Sequence, residues 1–168
     1  GIVLWCSSVS KTLAPGYRVG WVAPGKFKKQ IIRTKLYHTI TSPAIMHEAI
    51  GIFLATGRYE HHLRMLRQTL YANSLQYLRA ISEYFPEGTK VSRPEGGFLL
   101  WIALPGSIDT AELYQRAIQH QISIAPGRMF TLRNQYDHCL RLSFGIPWSD
   151  RVDSSLGKLG LLAKQLMS

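Results

Sequence analysis

Acidic residues are scarce in this chain, ten against twenty lysines and arginines, which gives a formal net charge of +10 over 168 residues. Most of them fall in helix or turn settings, so no carboxylate pair suited to glycosidase-type acid–base work can be assigned. Cysteine is scarcer. Cys6 and Cys139 lie far apart and form no Cys-x-x-Cys pattern, which excludes a disulfide framework or a cysteine zinc site. Both are read as reduced core residues, as suits a cytoplasmic protein. Long apolar runs are missing as well. The longest, FLLWIAL at 98–104, is strand-sized against the roughly 20 residues a membrane helix needs, so no membrane association is expected. The amino-terminal residues lack the charged region and cleavage site of a signal peptide. His47-Glu48 has no second histidine at zinc-protease spacing, and His61-His62 point to different sides of one helix, so no metal site is indicated.

What is present describes a globular domain, 46% hydrophobic and 18% charged, and long enough to bury a core. Basic residues gather in KFKKQIIRTK at 26–35 and again at Arg58, Arg64, Arg67 and Arg79. Such a field attracts nucleic acid, anionic membrane or phosphorylated ligands without distinguishing them, and a set of solvated helix faces is the preferred reading of it. Aromatic residues do not alternate with these charges as in a single-strand stacking platform.

Residues 2–6 and 18–23 read as buried strands, rich in Val, Ile and Trp, with Tyr17, Trp21 and Trp101 assigned to the core. A helix follows Pro24-Gly25 from Lys26 to about His38. Another runs from Ser42-Pro43 to Thr56, with Pro43 at its first position and Gly57 just past its end. Leu63, Leu66, Leu70, Tyr77 and Ile81 recur at helical intervals, predicting one long helix from Arg58 to about Tyr84 that joins two lobes. Short strands come next, at 91–93, 97–104, 122–125 and 140–144. Among them, Asp109 followed by Glu112 resembles a capping box at a helix start. Residues 149–167 read as a last amphipathic helix. The expected division is 1–57, 58–85 and 86–168. A two-stranded piece is not stable alone, so partners for the first two strands are expected from sequence outside this chain, from another copy or from an unusual arrangement.

Between those strands lies SSVSKTLAPGYRVG, residues 7–20, with Lys11 among hydroxyls and Arg18 close behind. A nucleotide-binding P-loop needs Gly directly before the lysine, and Ser10 stands there. An exposed turn lysine is one remaining reading. A Schiff-base lysine is the other, and the chemistry of pyridoxal phosphate explains more of the neighbours. Lysine supplies an amine for the aldehyde, in a desolvated site with cationic neighbours. Ser8 and Ser10 can donate to the phosphate, and Arg18 can bind it in bidentate fashion.

The pattern Ser-x-Ser-Lys-x-x-x-Pro-Gly-x-Arg-x-Gly resembles the lysine motif of fold-type I aminotransferases. The likeness continues through Pro94-Glu95-Gly96-Gly97-Phe98, through Ala125-Pro126-Gly127 with Phe130, and through Leu140-Arg141-Leu142-Ser143-Phe144. It is closest to the MocR-type regulators, in which a GntR-class winged-helix domain is fused to an aminotransferase-like domain. The resemblance implies an α/β fold: the end of a large cofactor-binding domain, a long linking helix and a small α+β domain. Lys11 would form the internal aldimine with pyridoxal 5'-phosphate, Ser8, Ser10 and Arg18 would bind its phosphate, and Arg141 would bind a substrate carboxylate. A homodimer, an amino-acid ligand and DNA bound through an upstream domain are implied partners. Alternatives are an aminotransferase acting on an amino acid and a 2-oxo acid, and a cofactor-free dimerisation module. The family's ring-pairing aspartate and stacking aromatic lie upstream of the lysine. The 168 residues by themselves are therefore expected to lack transaminase turnover.

Overall fold

The computed structural model describes residues 2–167. They form two compact units that divide between Met65 and Leu66.

In the first unit, β1 (Trp5–Ser8) pairs antiparallel with β2 (Gly20–Ala23), Trp5 opposite Ala23 and Ser8 opposite Gly20. Glycine is required at the second pairing, because a Cβ at Gly20 would sit 2.8 Å from the Ser7 carbonyl oxygen. Both strands are exposed, contrary to the buried strands expected. Each has one strand neighbour among the described residues, so its other edge stays open. Trp21 and Tyr17 are consequently surface residues, and Cys6 is exposed while Cys139 is buried. Trp21 packs edge-on against Trp5, ring centroids 4.9 Å apart.

The core of this unit is small: Val9, Val19 and Ile50, with Leu13 and Met46 against them. Helix α1 (Lys28–Thr39) starts two residues later than expected, because Gly25–Phe27 forms a single tight 3-10 turn. Helix α2 (Ala44–Ala55) has Pro43 as its cap rather than its first residue. Gly57 ends that run at φ +69°, a conformation that glycine adopts without a steric penalty.

Helix α3 (Arg58–Tyr84) spans 27 residues, about 40 Å at 1.5 Å per residue. The unit boundary falls inside it. In the second unit, α3 faces a four-stranded antiparallel sheet. The strands are β3 (Lys90–Val91), β4 (Leu99–Ala103), β5 (Ala125–Pro126) and β6 (Cys139–Ser143), in the order β3-β4-β6-β5. Alternation sends Leu100, Ile102, Leu140 and Leu142 to one face. There they meet Tyr77, Ala80 and Ile81 of α3, together with α4 (Thr110–Ile118) and α5 (Asp150–Gln165). Helices covering one face of an antiparallel sheet make this unit α+β.

The caps follow local chemistry. Asp109 accepts a hydrogen bond from the Ala111 N–H, 2.8 Å, as expected of an N-cap. Glu112 does not complete the box; it pairs with Arg116 one turn on, at 2.5 Å. Buried Asn73 of α3 uses its whole amide, donating to the Phe144 and Ile146 carbonyls and accepting from the Trp148 N–H. It thereby ties the chain leaving β6 to the core.

Candidate functional site

The ladder of β1 and β2 continues one step past their ends, the Val9 N–H donating to the Val19 carbonyl at 3.1 Å. The Val9 carbonyl then accepts from both Leu13 and Ala14, at 2.8 and 3.2 Å, closing a turn over Ser10, Lys11 and Thr12. Val9 and Leu13 pin this turn to Ile50 and Met46 of α2. Pro15–Tyr17 makes one 3-10 turn, and Arg18 follows in the left-handed region at φ 53°. For a residue with a Cβ that conformation costs about 1 kcal/mol, and such strain gathers at binding sites.

The register of β1 on β2 ends at Ser8 opposite Gly20, and the Val9–Val19 bond adds one step, so Ser10 and Arg18 are the residues that directly flank the last rung. All four of the sequence-derived cofactor residues come from this end of the ribbon: Ser8 ends β1, Ser10 and Lys11 lie in the turn after it, and Arg18 directly precedes Val19. Ser10 is half-buried and the other three are exposed. The exposure of Lys11 differs from the desolvated amine expected, and it follows from the open ribbon on which the turn sits. No acidic residue precedes Glu48, while Lys11, Arg18, Lys26, Lys28, Lys29, Arg33 and Lys35 all do. Two hydroxyls, a guanidinium and an amine in an acid-free stretch match an anion that also carries a carbonyl carbon.

Three further residues belong to this turn. Thr12 Oγ1 lies 2.8 Å from the Tyr59 hydroxyl. His62 Nε2 lies 2.7 Å from the Thr12 carbonyl oxygen, and since a carbonyl only accepts, Nε2 carries the proton and donates. In the sequence, His62 stood out only as half of a His-His pair lacking a zinc spacing. The signal that could have found it is its i,i+3 relation to Tyr59 at the start of a helix.

Arg141 lies on β6 of the second unit, opposite Trp101 on β4 and Ala125 on β5. Its guanidinium carbon stands 4.4 Å from the centre of the Phe130 ring. Phe130 meets Trp101 edge-on at 5.7 Å, and Trp101 meets Tyr136 at 5.5 Å. Trp101 is therefore not a core residue; alternation puts it on the sheet face opposite Leu100 and Ile102. Among the described residues no carboxylate pairs with Arg141. An arginine held by an aromatic face keeps its N–H donors for another anion.

The segment carrying Phe130 is anchored by its neighbour. Arg128 Nε donates to Asp137 Oδ1 at 2.5 Å, and the same guanidinium lies 3.7 Å from Asp109. The Arg128 hydrogen bond holds the Asp137 carboxyl below the usual carboxylate range. Gly97, in the Pro94–Phe98 turn, has φ +77°, so its role is conformational. Among the described residues no group of His, Cys, Asp or Glu could hold a metal ion, and no helix is long and apolar enough to cross a membrane.

Residues 2–150 match the family model for aminotransferase class I and II. The chain belongs to that family. It is 37% identical over 97% of its length to YdcR, an HTH-type transcriptional regulator of Escherichia coli (strain K12). It is 25% identical over 99% of its length to aromatic-amino-acid aminotransferase 1 of Thermococcus litoralis. The chain spans 35% of the first relative and 40% of the second. Its fold matches the Pyrococcus horikoshii kynurenine aminotransferase with TM-score 0.88 and 28% identity, over 99% of this chain and 41% of that one. That structure holds PMP, and the related LysN of Thermus thermophilus holds N-(5'-phosphopyridoxyl)-L-leucine. Pyridoxal phosphate is thus the cofactor that family membership implies, and the donor set around Lys11 fits it.

Proposed function

We propose that this chain is the cofactor-holding, aminotransferase-like part of a MocR/GntR-type transcriptional regulator that senses pyridoxal phosphate or an amino acid. The observation that carries the reading is the 37% identity to two HTH-type regulators, over 97% and 95% of the chain. In this reading residues 1–57 end the cofactor domain, 58–85 link, and 86–168 form the small domain. DNA is bound through a domain upstream of these residues, in a cytoplasmic homodimer.

When bound, pyridoxal phosphate supplies an aldehyde that captures amines and a ring that withdraws electrons from them. Lys11 would hold the group through its side-chain amine. Ser8, Ser10 and Arg18 hold the phosphate through hydroxyl and guanidinium hydrogen bonds. Arg141, kept clear of protein carboxylates and steadied on Phe130, takes the carboxylate of an amino-acid ligand. In a regulator these residues convert occupancy into a change of DNA affinity. The second reading is an aminotransferase for an amino acid and a 2-oxo acid, favoured by the 25% identity to the Thermococcus litoralis enzyme.

One paired measurement on the full-length gene product separates the two. Affinity for DNA upstream of its own gene is titrated with and without pyridoxal phosphate and a panel of amino acids, and transaminase turnover is assayed beside it. A regulator shifts its DNA affinity at least fivefold, about 1 kcal/mol of coupling, with negligible turnover. Turnover without DNA binding establishes the enzyme instead.

A further inference from the structure

We propose that Tyr59 and His62 are positioning residues for Lys11, acting through Thr12. The inference rests on the reading of Lys11 as the cofactor lysine. Two hydrogen bonds from the start of α3 converge on the residue directly after Lys11, one on its hydroxyl and one on its carbonyl. On the other side, the Val9 carbonyl ties down Leu13 and Ala14. The backbone at Lys11 is thereby held from both directions, although the turn itself lies on an exposed ribbon.

The two clamping side chains are set before they act. Tyr59 and His62 are three residues apart on one helix, which puts them on the same face. The Phe53 ring of α2 meets both of their rings edge-on, with centroids 6.4 Å away in each case. Phe53, Tyr59, His62 and Thr12 all lie in the first unit, so the clamp needs nothing beyond it.

A polar clamp here does more than fasten a loop. Val9 and Leu13 already pack against α2, so burial alone holds the turn near the helix. Hydrogen bonds add direction, which burial lacks, and direction fixes where the Lys11 Cα points its side chain. The lysine side chain has four rotatable bonds, so its amine reaches a given aldehyde more often when the base of the chain does not move. The clamp should therefore govern how well Lys11 captures its ligand, beyond any effect on folding.

The test uses the full-length gene product and pyridoxal phosphate as the probe. Apparent affinity is read from the absorbance band of the bound cofactor, and borohydride reduction followed by peptide mass spectrometry counts the adduct at Lys11. Thermal midpoints are taken alongside. Tyr59→Phe and His62→Leu each should weaken capture about tenfold, the value of one lost hydrogen bond to a well-placed partner. His62→Gln, whose amide N–H can donate to the same carbonyl, and Thr12→Ser, which keeps the hydroxyl, should capture within about twofold of wild type. Should His62→Leu fail to fold, Tyr59→Phe against Thr12→Ser carries the comparison, since each changes one group.

Capture at the wild-type level in His62→Leu and Tyr59→Phe overturns the proposal. So does capture that falls only in step with the thermal midpoint and is not rescued by His62→Gln, because that pattern marks a structural contact. No adduct at Lys11 in the wild-type protein overturns the cofactor reading itself, and this inference falls with it. The wild-type control therefore tells the two failures apart.

Discussion

Gly160 shows how much one side chain can decide. A Cβ built there runs into the carbonyl oxygen of Tyr84, a backbone atom that cannot swing aside. Helix α5 approaches the end of α3 this closely only because position 160 is bare. Gly160→Ala should destabilise the protein by about 1–3 kcal/mol, the usual cost of overpacking a fixed contact, despite alanine's better helix propensity. A urea midpoint equal to or above wild type would show that the two helices can part at little cost. Lys11 teaches a complementary lesson. Its sequence neighbours Ser8, Ser10 and Arg18 are proposed from chemistry alone, because a phosphate needs donors and charge. Tyr59 and His62 could not be, since they lie some fifty residues along the chain and only the fold brings them to Thr12.

Among elements, the loop from β5 to β6 has the most pronounced electrostatics. Arg128 bonds Asp137 and sits near Asp109, the cap of α4. The Asp137 carboxyl is held below its ordinary value chiefly by the Arg128 hydrogen bond. Its contribution is complete above about pH 4, where the unfolded carboxyl is ionised, and is lost as pH falls through the lowered folded value. Wild type should therefore exceed Asp137→Asn in urea midpoint at pH 6, with the gap closing towards pH 3. A gap independent of pH would assign the effect to packing.

The same scale shows what sequence pattern could and could not deliver. Helix α3 was readable from Leu63 to Ile81 because one apolar stripe runs its length. β1 was expected at 2–6 and lies at Trp5–Ser8, and β2 was expected at 18–23 and lies at Gly20–Ala23. Both were expected buried, since composition reports what a strand can pack against and not whether that neighbour is present. β5 shrank from the expected 122–125 to Ala125–Pro126, because pairing with β6 exists only where Arg141 and Leu140 stand opposite. Trp101 read as core by its hydrophobicity, whereas alternation along β4 decides its face. Asp109 and Glu112 looked like a reciprocal box, but Arg116 one turn on offered Glu112 a stronger partner.

At the scale of the molecule, chemistry is divided between two units. The first holds the turn with Lys11 and Arg18, in a stretch free of acidic residues up to Glu48. The second holds Arg141 on an aromatic face of a sheet whose opposite face is the main core. The positive charge of the chain draws anions in general. Charge therefore cannot mark Lys11 out from Lys26, Lys28, Lys29 or Lys35. Only the turn, with its hydroxyls and guanidinium, can do so.

The most direct test of that distinction is reductive trapping. The full-length gene product is incubated with stoichiometric pyridoxal phosphate, reduced with borohydride, digested and mapped by mass spectrometry. The cofactor mass should appear on the peptide containing Lys11 and vanish in Lys11→Ala. Label spread over Lys26, Lys28, Lys29 and Lys35 without preference for Lys11 would contradict the account.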